Sequence, residues 1–216
     1  MELENKHILP QFPLSIVAFP GEKVNLHIFE PRYKQLINEC FNNNTCFGIA
    51  PFVNGELMFY GTEMKVLEIS KIYDDGKMDV KTKGQRIYHI HQFEKKLANK
   101  LYPAATVSYL KEVQYEDTSS QKVQILDSMS KLFEMLNVEK PISDFTSEFS
   151  SYSVAHHIGL SVDDKISLLR IQAEPKRLDL IINHLNKFLP EVSKAEEVKT
   201  RAALNGHFKN LKSPDF

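Results

Sequence analysis

The chain has 216 residues, 42% of them hydrophobic, enough for one large domain or two small ones with ordinary cores, and such a chain is expected to fold by itself. Its 27 basic residues balance 28 acidic ones, so no overall field draws it to nucleic acid, an anionic membrane or a strongly acidic partner, and binding of that kind would need a local patch. No apolar run is long enough to span a bilayer, the N-terminus lacks a basic-then-apolar leader, and Cys40 and Cys46 sit in no Cys-x-x-Cys or metal spacing, a combination that predicts a cytoplasmic protein with reduced, packed thiols.

Up to about Val113 the residues alternate in short runs, the period of half-buried strands. "SIVAF" and "VNLHI" flank Pro20-Gly21, and in the second run Val24, Leu26 and Ile28 share one face while Asn25 and His27 share the other. Pro31 suits the first position of a helix. From it Tyr33, Leu36, Ile37, Cys40 and Phe41 form one apolar stripe, each large side chain contributing roughly 1.5–3 kcal/mol if buried, and Asn42-Asn43-Asn44 ends the helix. "CFGIAPFV" meets "ELMFYGTEMKVLEISKIY" at Asn54-Gly55, a type I′ hairpin signal. Asp74-Asp75-Gly76 makes a second turn into "KMDVKTK", Gly84 permits a bend or bulge before "QRIYHIHQF", and "AATVSYLKEV" closes the set. So many short strands favour a small barrel or paired curved sheets, because closure removes exposed edges.

From Thr118 the period becomes helical. Val123, Leu126, Met129, Leu132, Phe133 and Leu136 trace one face behind Ser119 or Ser120 as N-cap, and "EKPISD" interrupts. "SEFSSYSVAHHIGL" predicts a weaker helix ending at Gly159, Ser161 with Asp164 a capping box ahead of "KISLLRI", and Pro175 a first-turn position. Leu178, Ile181, Ile182, Leu185, Phe188 and Leu189 give the clearest stripe, with a stop expected at Pro190 and a last segment over "EVSKAEEVKTRAAL". The expected plan is therefore α+β: residues 1–115 a β-barrel with one helix, 116–204 a C-terminal α-helical bundle, and 205–216 a tail.

Order and residues together resemble the N-terminal substrate-binding domain of Lon proteases, a domain also found as a free-standing protein. The resemblance rests on "FPLSIVAFPGEKVNLHIFEPRYKQLINEC", "FGIAPF", "YGTEMKVLEI", "KGQRIYHI" and "SYSVAHHIGLSVDDKISLLRIQAEPKRLDLIINHLNKF", which cover most of residues 9–190. It implies a PUA-like β-barrel followed by a helical bundle. It further implies a role in recognising polypeptides, unfolded or damaged ones above all, for a linked ATPase and protease. The phosphate loop of such an ATPase, Gly-x-x-x-x-Gly-Lys-Ser/Thr, has no match here, and the chain is expected to carry no protease part, no cofactor and no metal. The expectation is a non-catalytic module that binds exposed apolar segments, with a separate ATP-dependent protease or chaperone as partner. The alternatives are an RNA-binding PUA-like protein and a regulatory or assembly subunit of a separate protease.

Candidate residues are few. The polar face of the first helix, Arg32, Lys34, Gln35 and Glu39, is the nearest candidate peptide-contact surface, against a plain solvated face. Ser108 to Lys111 and Ser128 to Lys131 are Ser-x-x-Lys strings without the partner motifs that give them catalytic meaning. His89 and His91 share one side of a strand but lack a third ligand, and His156 with His157 sit about 100° apart on a helix. His27 is expected as a rim hydrogen-bonder and Glu30 with Arg32 as a local pair. Lys77, Lys81, Lys83, Arg86, Lys95, Lys96 and Lys100 outnumber Asp79 and Glu94, with Tyr88 and Phe93 interspersed, a pattern that would suit RNA. Alternation is expected to divide the strand lysines between faces, which with the neutral charge counts against nucleic acid.

Overall fold

The structure, a computed structural model, describes residues 6–111, 113, 117–147 and 149–207. Its strands are β1 (His7–Pro10), β2 (Lys23–Ile28), β3 (Cys46–Ile49), β4 (Phe52–Val53), β5 (Glu56–Leu57), β6 (Tyr60–Ile72), β7 (Met78–Glu94) and β8 (Ala104–Tyr109). Its helices are α1 (Pro31–Asn42), α2 (Ser119–Met135), α3 (Ser151–Val154), α4 (Val162–Arg170) and α5 (Glu174–His207). The described residues form two compact units: those up to 113 with Leu160–Arg177, and those of 117–159 with those from 178 on.

In the first unit six strands form one antiparallel sheet in the order β1-β8-β7-β6-β3, with β2 added alongside β7. The 17-residue β7 has two neighbours on one side, β2 against Met78–Lys83 and β8 against Tyr88–Glu94. Gly84 stands at the changeover. A Cβ there would lie 2.0 Å from the Phe19 carbonyl oxygen, while the Gly84 N–H donates to Glu22 O and its carbonyl accepts from Gly21 N. The chain after β1 joins the sheet's two ends: Gln11 bridges Gly48 and Leu14 bridges Pro51 in parallel, and the Phe12 N–H donates to Gly48 O at 2.7 Å. That closure is what the expected barrel required.

"SIVAF" is not a strand. Val17, Ala18 and Phe19 are buried as their apolarity demands, but their backbone is satisfied elsewhere: Ala18 O accepts from the Thr62 hydroxyl at 2.6 Å and Phe19 N donates to Glu22 Oε2 at 2.9 Å. The first strand is instead "HILP", paired with β8. β2 follows its alternation, and both hairpin turns form, with Asn54 (φ 53°) and Gly55 (φ 83°) supplying the two positive angles of the first. "KMDVKTK" and "QRIYHIHQF" fuse into β7, with a register shift opposite Gly84 between Thr62 and Met64. Glu112, near the end of "AATVSYLKEV", lies outside the described residues.

α1 starts at Pro31 and buries Tyr33, Leu36, Ile37 and Cys40 in a core with Phe12, Phe47, Ile49, Met64 and Val80. Burial pushes the Cys40 thiol up to about 11, which keeps it protonated. Phe41, expected in the stripe, is 44% exposed. At 100° per residue it lies some 80° from Tyr33, on the stripe's margin. A second core cluster gathers Leu9, Ala50, Tyr88, Ile90, Ala105, Val107 and Tyr109.

In the second unit α2 begins at Ser119 behind Thr118, its first turn held by Asp117, which accepts from Ser119 N. It buries Ile125, Met129, Leu132 and Phe133, whereas Val123 and Leu136 are exposed: the i, i+4, i+7, i+8 stripe runs from Ile125. "PISD" supplies much of a 3₁₀ turn, Ile142–Phe145. α3 is one turn with a Ser150–Ser153 capping box, followed by Gly159 at φ 75°, where a Cβ would strike the Phe188 ring at 2.7 Å. α4, in the first unit, is capped by Ser161 as expected. α5 does not stop at Pro190 but runs 34 residues through it. Asn186, the residue four before it whose carbonyl loses its helical partner, is exposed. The last expected helical segment is therefore the end of α5. Of the expected tail, 205–207 complete that helix and 208–216 lie outside the described residues.

Gly84→Ala is expected to lower stability by roughly 1–3 kcal/mol in urea unfolding, because the new methyl meets backbone rather than a movable side chain. Tyr88, fully buried, donates to Gln11 Oε1 at 2.7 Å. Tyr88→Phe strands that acceptor and is expected to cost a similar roughly 1–3 kcal/mol with the chain still folded, as judged by far-UV circular dichroism.

Candidate functional site

In the first unit an apolar cleft of about 340 Å³ opens beside the start of α1. Pro13 comes from the segment after β1, Arg32 and Tyr33 from the first turn of α1, Phe52 and Leu57 from the β4–β5 hairpin, Phe93 and Lys95 from the end of β7, and Pro103 from the approach to β8. Local sequence explains each placement. Pro31 starts the helix, so the next residue, Arg32, projects from its exposed first turn. Phe52 and Leu57 are cross-strand partners two residues out from the Asn54-Gly55 turn and so stand side by side. The hairpin is moored by Phe52 N donating to Leu14 O at 2.8 Å and Met58 N to Pro51 O at 2.9 Å.

Two positive charges sit among this apolar lining. Arg32 is fixed: its Nε donates to Glu30 Oε2 at 2.8 Å, and its guanidinium carbon lies 4.4 Å from the centroid of the Tyr33 ring. Tyr33 is itself stacked on Phe12 at 3.9 Å, and burial raises its phenol above the ordinary value of 10, so it holds its proton. Lys95 has no ion-pair partner among the described residues. The lining carries no carboxylate, imidazole, thiol or aliphatic hydroxyl; it offers an apolar grip and two cationic donors.

The four helix-face candidates are not brought together. Arg32 lines the cleft. Lys34 Nζ donates to Asp75 O at 3.2 Å. Gln35 donates to Glu39 at 2.9 Å and accepts from Leu101 N at 2.9 Å, and Glu39 Oε2 accepts from Lys100 Nζ at 2.7 Å and Tyr102 OH at 2.6 Å. Those two residues clamp α1 to the Lys100–Tyr102 segment. Phe52, Leu57 and the two prolines were absent from the sequence-level candidates, and Phe93 and Lys95 were noted only within the basic stretch weighed for RNA, because no short-range pattern marks residues gathered from five separate segments.

The other polar candidates have local partners. His27 Nδ1 and Asp79 Oδ1 are 2.7 Å apart and Tyr73 OH donates to Asp79 Oδ2, which together hold the Asp79 carboxyl below its usual range. This network edges an open, polar depression that also includes Asp74, Asp75 and Lys77. Ser108 is fully buried and its hydroxyl lies 2.8 Å from His91 Nε2. The rings of His89 and His91 are 5.0 Å apart, and burial followed by the neighbouring His91 lowers the pKa of His89. No group of three metal-ligating side chains occurs among the described residues. Lys81 and Lys83 are not divided between faces, contrary to expectation: both odd-numbered residues are exposed on the same side of β7, a simple consequence of the period of two.

The first unit is an α+β fold, an antiparallel sheet whose ends are joined by the segment after β1, with a helix beside its cleft. The chain matches the family described as the ATP-dependent protease La (LON) substrate-binding domain over residues 8–187, and it belongs to that family. No curated protein sequence matches it. Among solved structures it resembles a Lon N-terminal domain protein from Xanthomonas campestris (TM-score 0.63, 23% identity, 82% of this chain and 98% of that one). It also resembles the N-terminal domain of the Mycobacterium avium complex Lon protease (TM-score 0.62, 16% identity, 83% and 98%). No helix among the described residues is long and apolar enough to cross a membrane.

Hydrogen bonds from Lys100 and Tyr102 hold the Glu39 carboxyl below its ordinary 4.5. Its folded-state pKa is depressed, so the stabilisation is complete above pH 4.5 and is lost as pH falls through the folded value. The parent is therefore expected to lose more stability between pH 6 and pH 3 than Glu39→Gln, as read from urea midpoints. Parallel pH profiles for the two proteins would contradict the clamp.

Proposed function

We infer that the protein is a non-catalytic recognition module that takes exposed apolar segments of unfolded or partly folded polypeptides into the cleft at the start of α1. Its setting is the cytoplasm, and it hands its clients to a separate ATP-dependent protease or chaperone. The observation that supports this most directly is the cleft's lining, in a chain of the substrate-binding family: an exposed Phe52, the partly exposed Leu57, Phe93 and Pro13, and a buried Pro103, with Arg32 and Lys95 among them.

The mechanism follows from that lining. A side chain such as Leu or Phe entering the cleft removes apolar surface from water at about 25 cal/mol per Å², and Phe52, 43% exposed in the free protein, is covered at the same time. Arg32 needs little ordering on binding because Glu30 and Tyr33 already hold it, so its remaining N–H groups meet peptide carbonyls at low entropic cost. Apolar contact without side-chain readout tolerates many sequences. A folded protein, whose apolar side chains are internal, presents nothing to it.

Titration by fluorescence anisotropy with an unfolded, uncharged apolar peptide and with a folded protein is expected to show binding of the first alone. Phe52→Ala should weaken that binding about tenfold with little change in melting temperature, since the ring is already half in water. Equal, negligible affinity for both ligands would sink the reading.

A further inference from the structure

On the face of the sheet carrying Lys81 and Lys83, three lysines stand in one row across three adjacent strands. Lys23 of β2 pairs with Lys83 of β7, and Lys83 pairs with Lys65 of β6. Residues directly opposite in antiparallel strands point to the same side, and neighbouring strands lie about 4.7–4.9 Å apart, so three ammonium groups are rooted within about 10 Å. Their sequence neighbours Val24, Thr82 and Met64 point the other way: Thr82 and Met64 are fully buried and Val24 packs on the core. Lys23 and Lys83 are exposed and Lys65 half-exposed.

Like charges directly opposite one another destabilise a sheet, and this row places two such pairs side by side. Lys81, in the next row, is paired with Glu68 at 3.1 Å, and buried Glu63 on the other side is engaged by Arg86 Nε at 2.9 Å and by the Tyr109 hydroxyl. Among the described residues Lys23, Lys65 and Lys83 have no ion-pair partner. Five lysines and two carboxylates share the three strands' rows from Lys23–Lys83–Lys65 to His27–Asp79–Lys71; Glu68 pairs with Lys81 and Asp79 with His27, and Lys71 lies over the Tyr73 ring.

We propose that the Lys23–Lys83–Lys65 row is a carboxylate-binding strip that captures acidic stretches of client polypeptides. This rests on the polypeptide-binding reading above and adds a charge preference to it. Three observations favour a polypeptide over nucleic acid. The positive zone is one row wide, bounded by Glu68 in the next row and Asp79 in the one beyond, about 7 and 13 Å along the strands, which suits two or three carboxylates and repels a continuous phosphate tract. Neither this row nor the next holds an aromatic ring for bases to stack on, the usual anchor of single-stranded nucleic acid. Leu67, 46% exposed on β6 beside Lys65, offers contact to an apolar residue adjoining the acids.

The test compares a labelled twelve-residue peptide carrying Glu at alternate positions, its Gln counterpart, the uncharged apolar peptide and a twelve-residue oligouridine, each titrated at low and high salt. The parent should bind the Glu peptide at least tenfold tighter than the Gln peptide at 50 mM salt, with most of the advantage gone at 300 mM. The triple variant Lys23→Gln, Lys65→Gln, Lys83→Gln should lose the advantage, keep its affinity for the apolar peptide, and melt at or above the parent's temperature, because repulsion has been removed. Equal affinity for Glu and Gln peptides, an unchanged advantage in the triple variant, or a lowered melting temperature would overturn the proposal. Oligouridine binding tighter than the Glu peptide and lost in the triple variant would reassign the strip to nucleic acid. Failure of the apolar peptide to bind the parent defeats the cleft reading instead, and the Glu–Gln comparison still reports on the strip.

Discussion

Tyr88 places a phenol where four stretches of backbone crowd together. Its hydroxyl donates to Oε1 of the fully buried Gln11, and it lies over two glycines, Gly48 and Gly61, at which a Cβ would come within 2.4 and 2.5 Å of the Tyr88 hydroxyl oxygen. Strands β3, β6 and β7 and the segment after β1 meet at this point, so one hydrogen bond and two missing side chains determine how closely four stretches of backbone approach. Burial holds the phenol protonated far above its ordinary range, which keeps it a donor at every pH the fold survives. The Gln11 amide in turn donates to Leu9 O, leaving the knot with its polar groups paired.

That closure also builds the cleft. Once Gln11 is pinned against Gly48, the next residues run parallel to β3, Leu14 reaches Ala50 and Phe52, and the β4–β5 hairpin is moored where its Phe52–Leu57 pair faces the start of α1. Pro13 lies on the same short run and Pro103 is tied to Gln11, whose N–H donates to Pro103 O at 2.8 Å. The binding surface is thus assembled from pieces that have no sequence proximity and share one structural cause. The core beneath can stay tightly packed while half-exposed rings stand above it, because the moorings are backbone hydrogen bonds and do not depend on Phe52 or Leu57 being buried.

Much of this fold was legible in the sequence because its signals are local. Asn54-Gly55, Asp75-Gly76, Pro31 and Ser161 each declare a turn or a helix start through their own backbone preferences, and each does so here. What failed depended on tertiary partners. "SIVAF" reads as a strand by composition, but Thr62, 44 residues on, bonds Ala18 O while Glu22 bonds Phe19 N from within the following turn, and no strand ladder is formed. Pro190 reads as a stop, yet the helix runs through it where Asn186, whose carbonyl loses its helical partner, is exposed, a fact about exposure rather than sequence. For the site, Arg32 was visible as a polar residue beside an apolar stripe. Its neighbours Phe52, Pro13 and Pro103 carried no signal, since an exposed Phe52 and a buried Phe47 look alike on paper.

The charges divide into two kinds, and the division carries the functional argument. Glu39 with Lys100, Glu63 with Arg86, Lys81 with Glu68 and His27 with Asp79 are closed pairs that join segments distant in sequence, and each removes a charge from use by any ligand. Lys95 at the cleft and the Lys23–Lys83–Lys65 row remain open, and the row does so at an energetic disadvantage that a single glutamate at position 23 or 65 would relieve. A scaffold shaped by stability alone has no use for three cations abreast that find no ion-pair partner among the described residues. Their cost is offset only when something anionic from outside completes the row. A strip that weakly attracts acidic stretches and a cleft that accepts apolar side chains then act on two properties an unfolded chain displays together and a folded one seldom does.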